Sequence, residues 1–418
     1  VGERSYAERH PLLWHLMDVA AVTDTLWQGV LQPSLRNRVC RGFGTDEVAT
    51  GAWMAFWTGA HDVGKACPGF QSRERSGEAR RHLTEAGLDF PSFHAPPHGV
   101  VTVAVLGFEQ ADNPPLSHFT DAVCRGVATA VGGHHGLFAQ RSQLLNTVSN
   151  RDVLGGKGWT DVRKLLLGHL GEACGVSADT SPMRLASQDH WLLMIVAGLT
   201  SVADWIASNP TYFPHEANID SVSEYAVVAK ERAEQALETL GWSRRDHQEQ
   251  RPRPFARLFP GCDPPRPLQE ATVAALDGQR VGALLLLEAP TGEGKTEAAF
   301  FAADHWLHEN GGQGVYIGLP TMATGTQMFE RFRRYLQHRY PGGRVNLHLL
   351  HSGAVLNEGY AELRRTAAAQ DAMTLEIHDD ADGAELAGLV ADTWFAANRK
   401  QAMLAPFGVG TIDQSLLS

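Results

Sequence analysis

One short stretch restricts the fold more than any other. Residues 288–299 read EAPTGEGKTEAA, with an apolar run before them and an amphipathic segment after. Cradling a triphosphate takes many backbone N–H donors close to its phosphates, and glycine lets the chain approach that tightly. Gly292 and Gly294 meet that need. Lys295 sets a cation against the β- and γ-phosphates, and Thr296 can hold Mg²⁺ and is expected to start a helix whose N-terminus favours anions. Ala289 takes the first position of the pattern, where glycine is commoner, and Thr291 and Glu293 complete the loop. Such a loop works between a strand and a helix, so the chain around it is expected to be α/β.

The flanking patterns agree. VGALLLLEAP (281–290) is a short apolar run ended by proline, as expected of a buried strand in a parallel sheet. GVYIGLP (314–320) and RVNLHLLHSG (344–353) are two further strand candidates, alternating with helical segments. Residues 268–418 therefore read as one α/β lobe, with the acidic HDDADGAE (378–385) as a surface loop.

Residues 1–243 have a different period: apolar stripes at helical spacing, no alternating strand, hence an all-α domain. HPLLWHLMDVAAVTDTLWQGVL puts His15, Val19, Val22 and Leu26 on one stripe. DHWLLMIVAGLTSVADWIAS is nearly all apolar and is expected to be buried. EYAVVAKERAEQALETLGW closes this half, with Gly241 as a C-cap. Residues 244–267, rich in Arg and Pro, read as a linker.

Composition narrows the function. The chain is 43% hydrophobic and 20% charged, ample for a packed core. A net charge of −11 argues against coating nucleic acid everywhere, so such binding would be local. One basic patch is RFRRYLQHRYPGGR (331–344), with five Arg and no acid. No run reaches the ~18–20 apolar residues of a membrane span; WLLMIVAGL, from Trp191, is the longest, so no membrane role is expected. No apolar leader opens the chain, and the five Cys are scattered without a CxxC pair. That excludes a zinc ribbon and fits a reducing, cytoplasmic setting.

The helical half carries polar residues where apolar ones are expected. His61 and Asp62 follow Trp53, Phe56 and Trp57, with Lys65 three residues on. His15 lies on the first stripe, His98 opens an apolar helix, His134 and His135 follow a glycine turn, and Asp204 sits among Val202, Ala203, Trp205 and Ile206. A single buried His is usually a hydrogen-bonded core residue. A buried carboxylate costs several kcal/mol unless a cation or metal meets it. Five His and two Asp beside apolar helices have one economical explanation, convergence on metal ions. Imidazole and carboxylate without thiolate suit Fe²⁺, Mn²⁺, Co²⁺, Ni²⁺ or Zn²⁺ more than Ca²⁺.

Two resemblances follow from these motifs. The A-P-T-G-E-G-K-T loop, LPTMATGTQMFERF (319–332), LLHSG and VGTIDQSLLS resemble superfamily-2 helicases. That resemblance implies ATP with Mg²⁺ at the loop, adenine reading by Gln269, and contact of Thr321, Thr324, Gln327 and Arg331 with a DNA strand. The sequence ends where the family places its D-E-x-H box, so this lobe is expected to be incomplete, with negligible ATP hydrolysis, as part of a longer or split polypeptide. The order H…HD…H…HH…D resembles the HD phosphohydrolase superfamily. HDVGKACPGFQ and HHG ahead of a superfamily-2 motor resemble, over nearly the whole chain, the nuclease-helicase of type I CRISPR interference systems.

That family implies His15, His61, Asp62 and Asp204 on one metal. Asp62 would bridge to a second metal on His98, His134 and His135, with His94 as the alternative to His98. Asp62 and Lys65 would be catalytic, Lys65 at the scissile phosphate or its leaving oxygen. Two divalent ions ~3.5–4 Å apart can activate water and clamp a phosphodiester. The implied substrate is single-stranded DNA, fed by a 3′-to-5′ motor after recruitment by an RNA-guided surveillance complex. Two other readings are open: a nucleotide phosphohydrolase with a regulatory ATP lobe, and a motor or binding module with a structural metal.

Overall fold

The computed structural model describes residues 10–417 except 74–76, 92–95, 110–114, 118, 178, 187–188, 216–218, 220, 243–252, 279–282, 310–311, 342–343, 352, 355–356, 377–387 and 398. The chain divides into two compact units, Val1–Leu237 and Glu238–Ser418.

The described part of the first unit is helical. Its framework is α1 (Leu12–Thr25), α2 (Glu47–Gly59), α3 (His98–Phe108), α4 (Asp121–Gly132), α5 (Lys157–Ala173), α6 (His190–Ala207) and α7 (Val222–Thr239), whose last turn runs past the unit boundary. Asp46 caps α2 by accepting from the Ala49 amide, and Thr120 caps α4 by accepting from Val123. The helices close on one apolar core in which Trp53, Phe56 and Trp57 are fully buried. Trp53 stands edge-on to Phe56 and Phe119.

Helix α6 corrects one expectation. By length and mean hydropathy it could cross a membrane, because α-helical residues on either side of WLLMIVAGL lengthen the apolar window to 18 residues. Half of that window is buried inside the protein, and the helix carries Asp204 into the interior.

The second unit follows the α/β pattern: α8 (Pro267–Leu276), α9 (Lys295–Glu309), β1 (Val315–Leu319), α10 (Met322–Arg339), β2 (Arg344–Leu350), α11 (Glu358–Glu376), β3 (Gly388–Val390), β4 (Phe407–Thr411) and α12 (Ile412–Leu417). All the strand pairs are parallel, in the order β1-β4-β2-β3, with Leu347 opposite Phe407 and Ile317 opposite Val409. Glycine permits the tight β2–β4 spacing: a Cβ on Gly410 would stand 2.4 Å from the Leu350 carbonyl oxygen.

Three expectations change here. Residues 283–290 form no ladder, and Leu284 and Leu286 are 95% and 82% exposed. A strand exists only with a neighbour to accept its hydrogen bonds, and the four described strands pair among themselves. The linker is partly packed: Phe255–Leu258 is a helical turn whose Phe255 and Leu258 enter the second core, while 243–252 lie outside the described residues. The helix after the phosphate loop begins at Lys295 rather than Thr296. The acidic 378–385 segment lies outside the described residues.

Candidate functional site

Helix α2 breaks after Gly59 into a tight 3₁₀ turn, Ala60–Lys65, and that turn presents His61 and Asp62 to the interior. Gly64 lets the turn lie against α3: a Cβ there would stand 2.3 Å from the His98 carbonyl oxygen and 2.5 Å from the Thr102 amide. Thr102 locks the contact. Its hydroxyl donates to the His61 carbonyl at 2.7 Å and accepts from the Gly64 amide at 3.0 Å. A second glycine contact joins α3 to α4. A Cβ on Gly99 would stand 2.2 Å from the Gly132 carbonyl, which brings His98 beside the His134–His135 pair. His98 and His135 approach to 3.2 Å between their Nε2 atoms.

The seven predicted residues come together. Asp62 is 2% exposed and its two oxygens face different neighbours. Oδ2 lies 3.3 Å from His15 Nε2 and 3.4 Å from His61 Nε2, and it pairs with Lys65 Nζ. Oδ1 lies 3.2 Å from His98 Nε2 and 3.8 Å from His134 Nε2. Asp204 Oδ1 lies 3.5 Å from His61 and 3.6 Å from His15, held by a 2.9 Å hydrogen bond from the Ser208 hydroxyl. Three overlapping triads have donor atoms within 4.8 Å of one another: His15–His61–Asp204, His61–Asp62–His134 and His98–His134–His135. His94 lies outside the described residues.

The two buried imidazoles are oriented identically. His61 Nδ1 donates to the Thr58 carbonyl at 2.9 Å, and His134 Nδ1 to the Val131 carbonyl at 2.8 Å. Each bond commits the Nδ1 proton to a carbonyl and turns Nε2 inward. The Ser201 hydroxyl, donating to the His134 carbonyl at 2.8 Å, fixes that turn from α6. The inward atoms then lack partners: His15 Nε2, His61 Nε2, Asp62 Oδ1 and His134 Nε2 are buried without a hydrogen bond. Unmet buried polar atoms are costly, and four aimed at one place fit a metal ion.

The electrostatics have the same sense. Burial opposes charge on His61, yet Asp62 and Asp204 outweigh it and push the imidazole up to about 10. Burial also opposes the charge on Asp62, but His61, with contacts from His15 and His98, holds its carboxyl well below the usual carboxylate range. Asp204 is lowered likewise by His61 and His15 against burial. His134 is pushed down to about 3 by burial and the neighbouring His61 charge, and burial with His98 lowers His135. The cluster thus stabilises positive charge at its centre and keeps neutral nitrogens on one flank. Lys65, His98 and the exposed His135 lie on its accessible side.

In the second unit the phosphate loop takes a compact form. Gly292 and Gly294 have φ of 93° and 78°, values that favour glycine. Lys295 Nζ turns back to the Ala289 and Pro290 carbonyls at 2.5 and 2.7 Å, and Arg266 bonds to the Gly292 carbonyl. Gln269 is buried, with its amide used internally: Oε1 accepts from the Arg266 amide at 2.9 Å, and Nε2 lies 3.4 Å from the Gly294 carbonyl. Thr291 is exposed, and Glu293 and Thr296 are half-buried. Thr321 caps α10, accepting from the Thr324 amide; Thr324, Gln327 and Arg331 are exposed, and Arg331 pairs with Glu297.

A helical unit built round a His/Asp cluster, followed by a parallel-sheet lobe with a phosphate loop, defines an HD domain joined to a helicase lobe. Residues 2–213 match the family model described as Cas3, HD domain, and 266–373 the DEAD/DEAH box helicase model; the chain belongs to the Cas3 family. It is 36% identical over 415 residues to the CRISPR-associated endonuclease/helicase Cas3 of Thermus thermophilus, covering 98% of this chain and 42% of that protein. With the Cas3 of Escherichia coli it shares 27% over 445 residues, 98% of this chain and 46% of that one. The crystal structure of T. fusca Cas3 superposes with a TM-score of 0.75 at 27% identity, covering all of this chain and 43% of that one. The chain thus spans less than half the length of these relatives.

The sequence missed the positioning residues Gly64, Gly99, Thr102, Gly132 and Ser201. Only Gly99, second in α3, and the glycine pair Gly132–Gly133 at the end of α4 hint at close helix approach.

Proposed function

We propose that the helical unit is a metal-dependent phosphodiesterase that cuts single-stranded DNA. The observation that carries this reading is the convergence of four unpartnered buried atoms, His15 Nε2, His61 Nε2, Asp62 Oδ1 and His134 Nε2. His15, His61, Asp62 and Asp204 would hold one divalent ion, and His98, His134 and His135 a second, with Asp62 shared between them. Fe²⁺, Mn²⁺, Co²⁺ or Ni²⁺ suits these donors. When bound, such ions supply Lewis acidity to a phosphodiester and an activated water.

The protein's own residues set the geometry for that chemistry. The Thr58 and Val131 carbonyls take the Nδ1 protons, so Nε2 is the atom each ring presents to a metal, which would displace the second proton His61 holds beside Asp62 and Asp204. Asp62, facing both sets, spaces them. Lys65, paired with Asp62 and 28% exposed, reaches the open side, where it can bind a phosphate oxygen and stabilise charge on the leaving oxygen. The second unit would bind ATP with Mg²⁺ through Ala289–Thr296, after Lys295 and Arg266 release the loop carbonyls. Gln269 would read adenine. Thr321, Thr324, Gln327 and Arg331 would meet the DNA backbone of a strand moved 3′ to 5′. Recruitment by an RNA-guided surveillance complex in the cytoplasm completes the proposal, with residues 1–243 and 268–418 as the two functional domains joined through 244–267.

The test is cutting of circular single-stranded DNA with Mn²⁺, alongside metal content. Asp62→Ala is expected to lose at least one metal and all cutting. Cutting by Asp62→Ala at the wild-type rate contradicts the site assignment. Hydrolysis of free nucleotides with intact DNA would point instead to a nucleotide phosphohydrolase.

A further inference from the structure

One aromatic side chain beside the metal cluster has no part in the site described above. Phe70 lies on the short helical turn Pro68–Gln71 that follows the HD segment. It is half-buried, with one side packed on the first unit's core. Its ring meets His98 edge-on at 5.9 Å between centroids. Two cations approach the same ring: Lys65 Nζ at 5.8 Å and the guanidinium of Arg73 at 5.2 Å from its centroid. Arg73 is exposed, and Lys65 and His98 are both partly open to solvent.

The turn is held firmly enough to present that ring. Gln71 donates to the Lys65 carbonyl at 2.9 Å, and the Ser72 hydroxyl to the Pro68 carbonyl at 2.6 Å. The buried Arg163 guanidinium donates to the Ala66 carbonyl at 3.1 Å and to the Leu154 carbonyl at 2.7 Å. Anchored backbone on both sides of Cys67 fixes where Phe70 stands relative to Asp62.

We propose that Phe70 is a stacking platform for one base of the substrate strand next to the metal cluster, with Lys65 and Arg73 meeting the flanking phosphates. An aromatic face accepts any base, and neighbouring cations supply the backbone contacts, the usual combination in sequence-tolerant single-strand binding. Cations over the ring mark it as an electron-rich face, and a base stacking there would take the place of the Arg73 guanidinium as it moves out to a phosphate. A mononucleotide pocket needs no such platform, whereas a strand crossing the cluster needs a hold on the nucleotide beside the scissile bond. This inference rests on the single-strand nuclease reading and refines it.

The experiment compares Phe70→Leu, Phe70→Trp and Arg73→Gln with wild type. It measures KM and kcat on single-stranded DNA with Mn²⁺, metal content, and quenching of a 2-aminopurine oligonucleotide whose phosphorothioate links resist cutting. Leucine preserves apolar volume but cannot stack. Phe70→Leu is expected to raise KM roughly tenfold, the scale of one lost base stack, and to lose quenching at wild-type metal content. Phe70→Trp should restore both, and Arg73→Gln should shallow the salt dependence by about one ion. Wild-type KM and quenching in Phe70→Leu would overturn the inference. So would metal loss in Phe70→Leu, which would make Phe70 a strut for His98. A wild-type chain that neither binds nor cuts single strands would remove the nuclease reading itself, and the platform with it.

Discussion

The metal cluster and the phosphate loop solve opposite problems. In the first unit the donors are buried, oriented by carbonyls, and left unmet: His61 Nε2 and His134 Nε2 point inward with no partner. In the second unit the loop meets its own needs, because Lys295 and Arg266 bond to carbonyls at Ala289, Pro290 and Gly292. The first site is preorganised and carries the cost of unpaired polar atoms. The second must exchange internal hydrogen bonds for ligand contacts, which lowers affinity by the cost of opening. A preformed cluster should therefore tolerate little change in its helical frame, while the loop should be sensitive chiefly to loss of its cation.

That contrast can be broken, most forcefully at Gly64. Gly64→Ala would drive a Cβ into the His98 carbonyl and the Thr102 amide. Overpacking of this kind costs ~1–3 kcal/mol, and the displaced α3 should weaken metal uptake at His98. Thermal unfolding and metal content measure both. Gly198→Ala, on the same unit with open space at its Cβ, is the control and should leave both intact or raise stability by about 0.5–1 kcal/mol. Equal stability and metal content in Gly64→Ala would mean the frame is softer than described.

Lys295→Ala should abolish ATP binding, read by equilibrium dialysis, and leave metal-dependent cutting of free circular single strands in place. Loss of that basal cutting would contradict two separately organised sites.

A smaller effect distinguishes the units by pH. Burial, with a lesser contribution from Arg364, pushes His348 on β2 down to about 3. In the unfolded chain this imidazole takes up a proton near 6.5, while in the fold it stays neutral. Its effect is thus absent above about pH 6.5, and stability falls as pH drops toward 3, by about 2 kcal/mol between pH 7 and 5. His348→Asn should flatten the acid limb of the second unit's unfolding curve. An unchanged limb would assign the acid sensitivity elsewhere.

Smallest of all, Arg331→Gln breaks an exposed pair with Glu297, worth about 0–1 kcal/mol to stability. It should weaken single-strand binding uniformly across sequences and reduce the salt slope by about one.

The cluster was legible because polar residues in apolar helices are anomalous. Asp204 among Val202, Ala203, Trp205 and Ile206, and His61–Asp62 behind three aromatics, stand out without any fold. Asp18 shows the limit of that logic. It is equally buried on α1, yet it is satisfied by His10 at 2.8 Å and by the Tyr225 hydroxyl at 2.9 Å. Whether a buried carboxylate seeks a metal or a phenol depends on the helix opposite. Gly64, Gly99 and Thr102 were illegible for the same reason: close approach is a property of two segments at once. The strand expected at 281–290 failed because apolar composition proposes a strand, and only neighbouring strands make one. The membrane threshold applied to WLLMIVAGL missed that a helix continues through weakly polar residues.

The central claim is that seven imidazoles and carboxylates hold two divalent ions. Metal analysis of the anaerobically purified chain tests it most directly. Two transition-metal ions per wild-type chain, falling in Asp62→Ala and in His134→Ala while the fold persists, is the predicted result. A metal-free wild-type chain, or one whose metal content is indifferent to both substitutions, would contradict it.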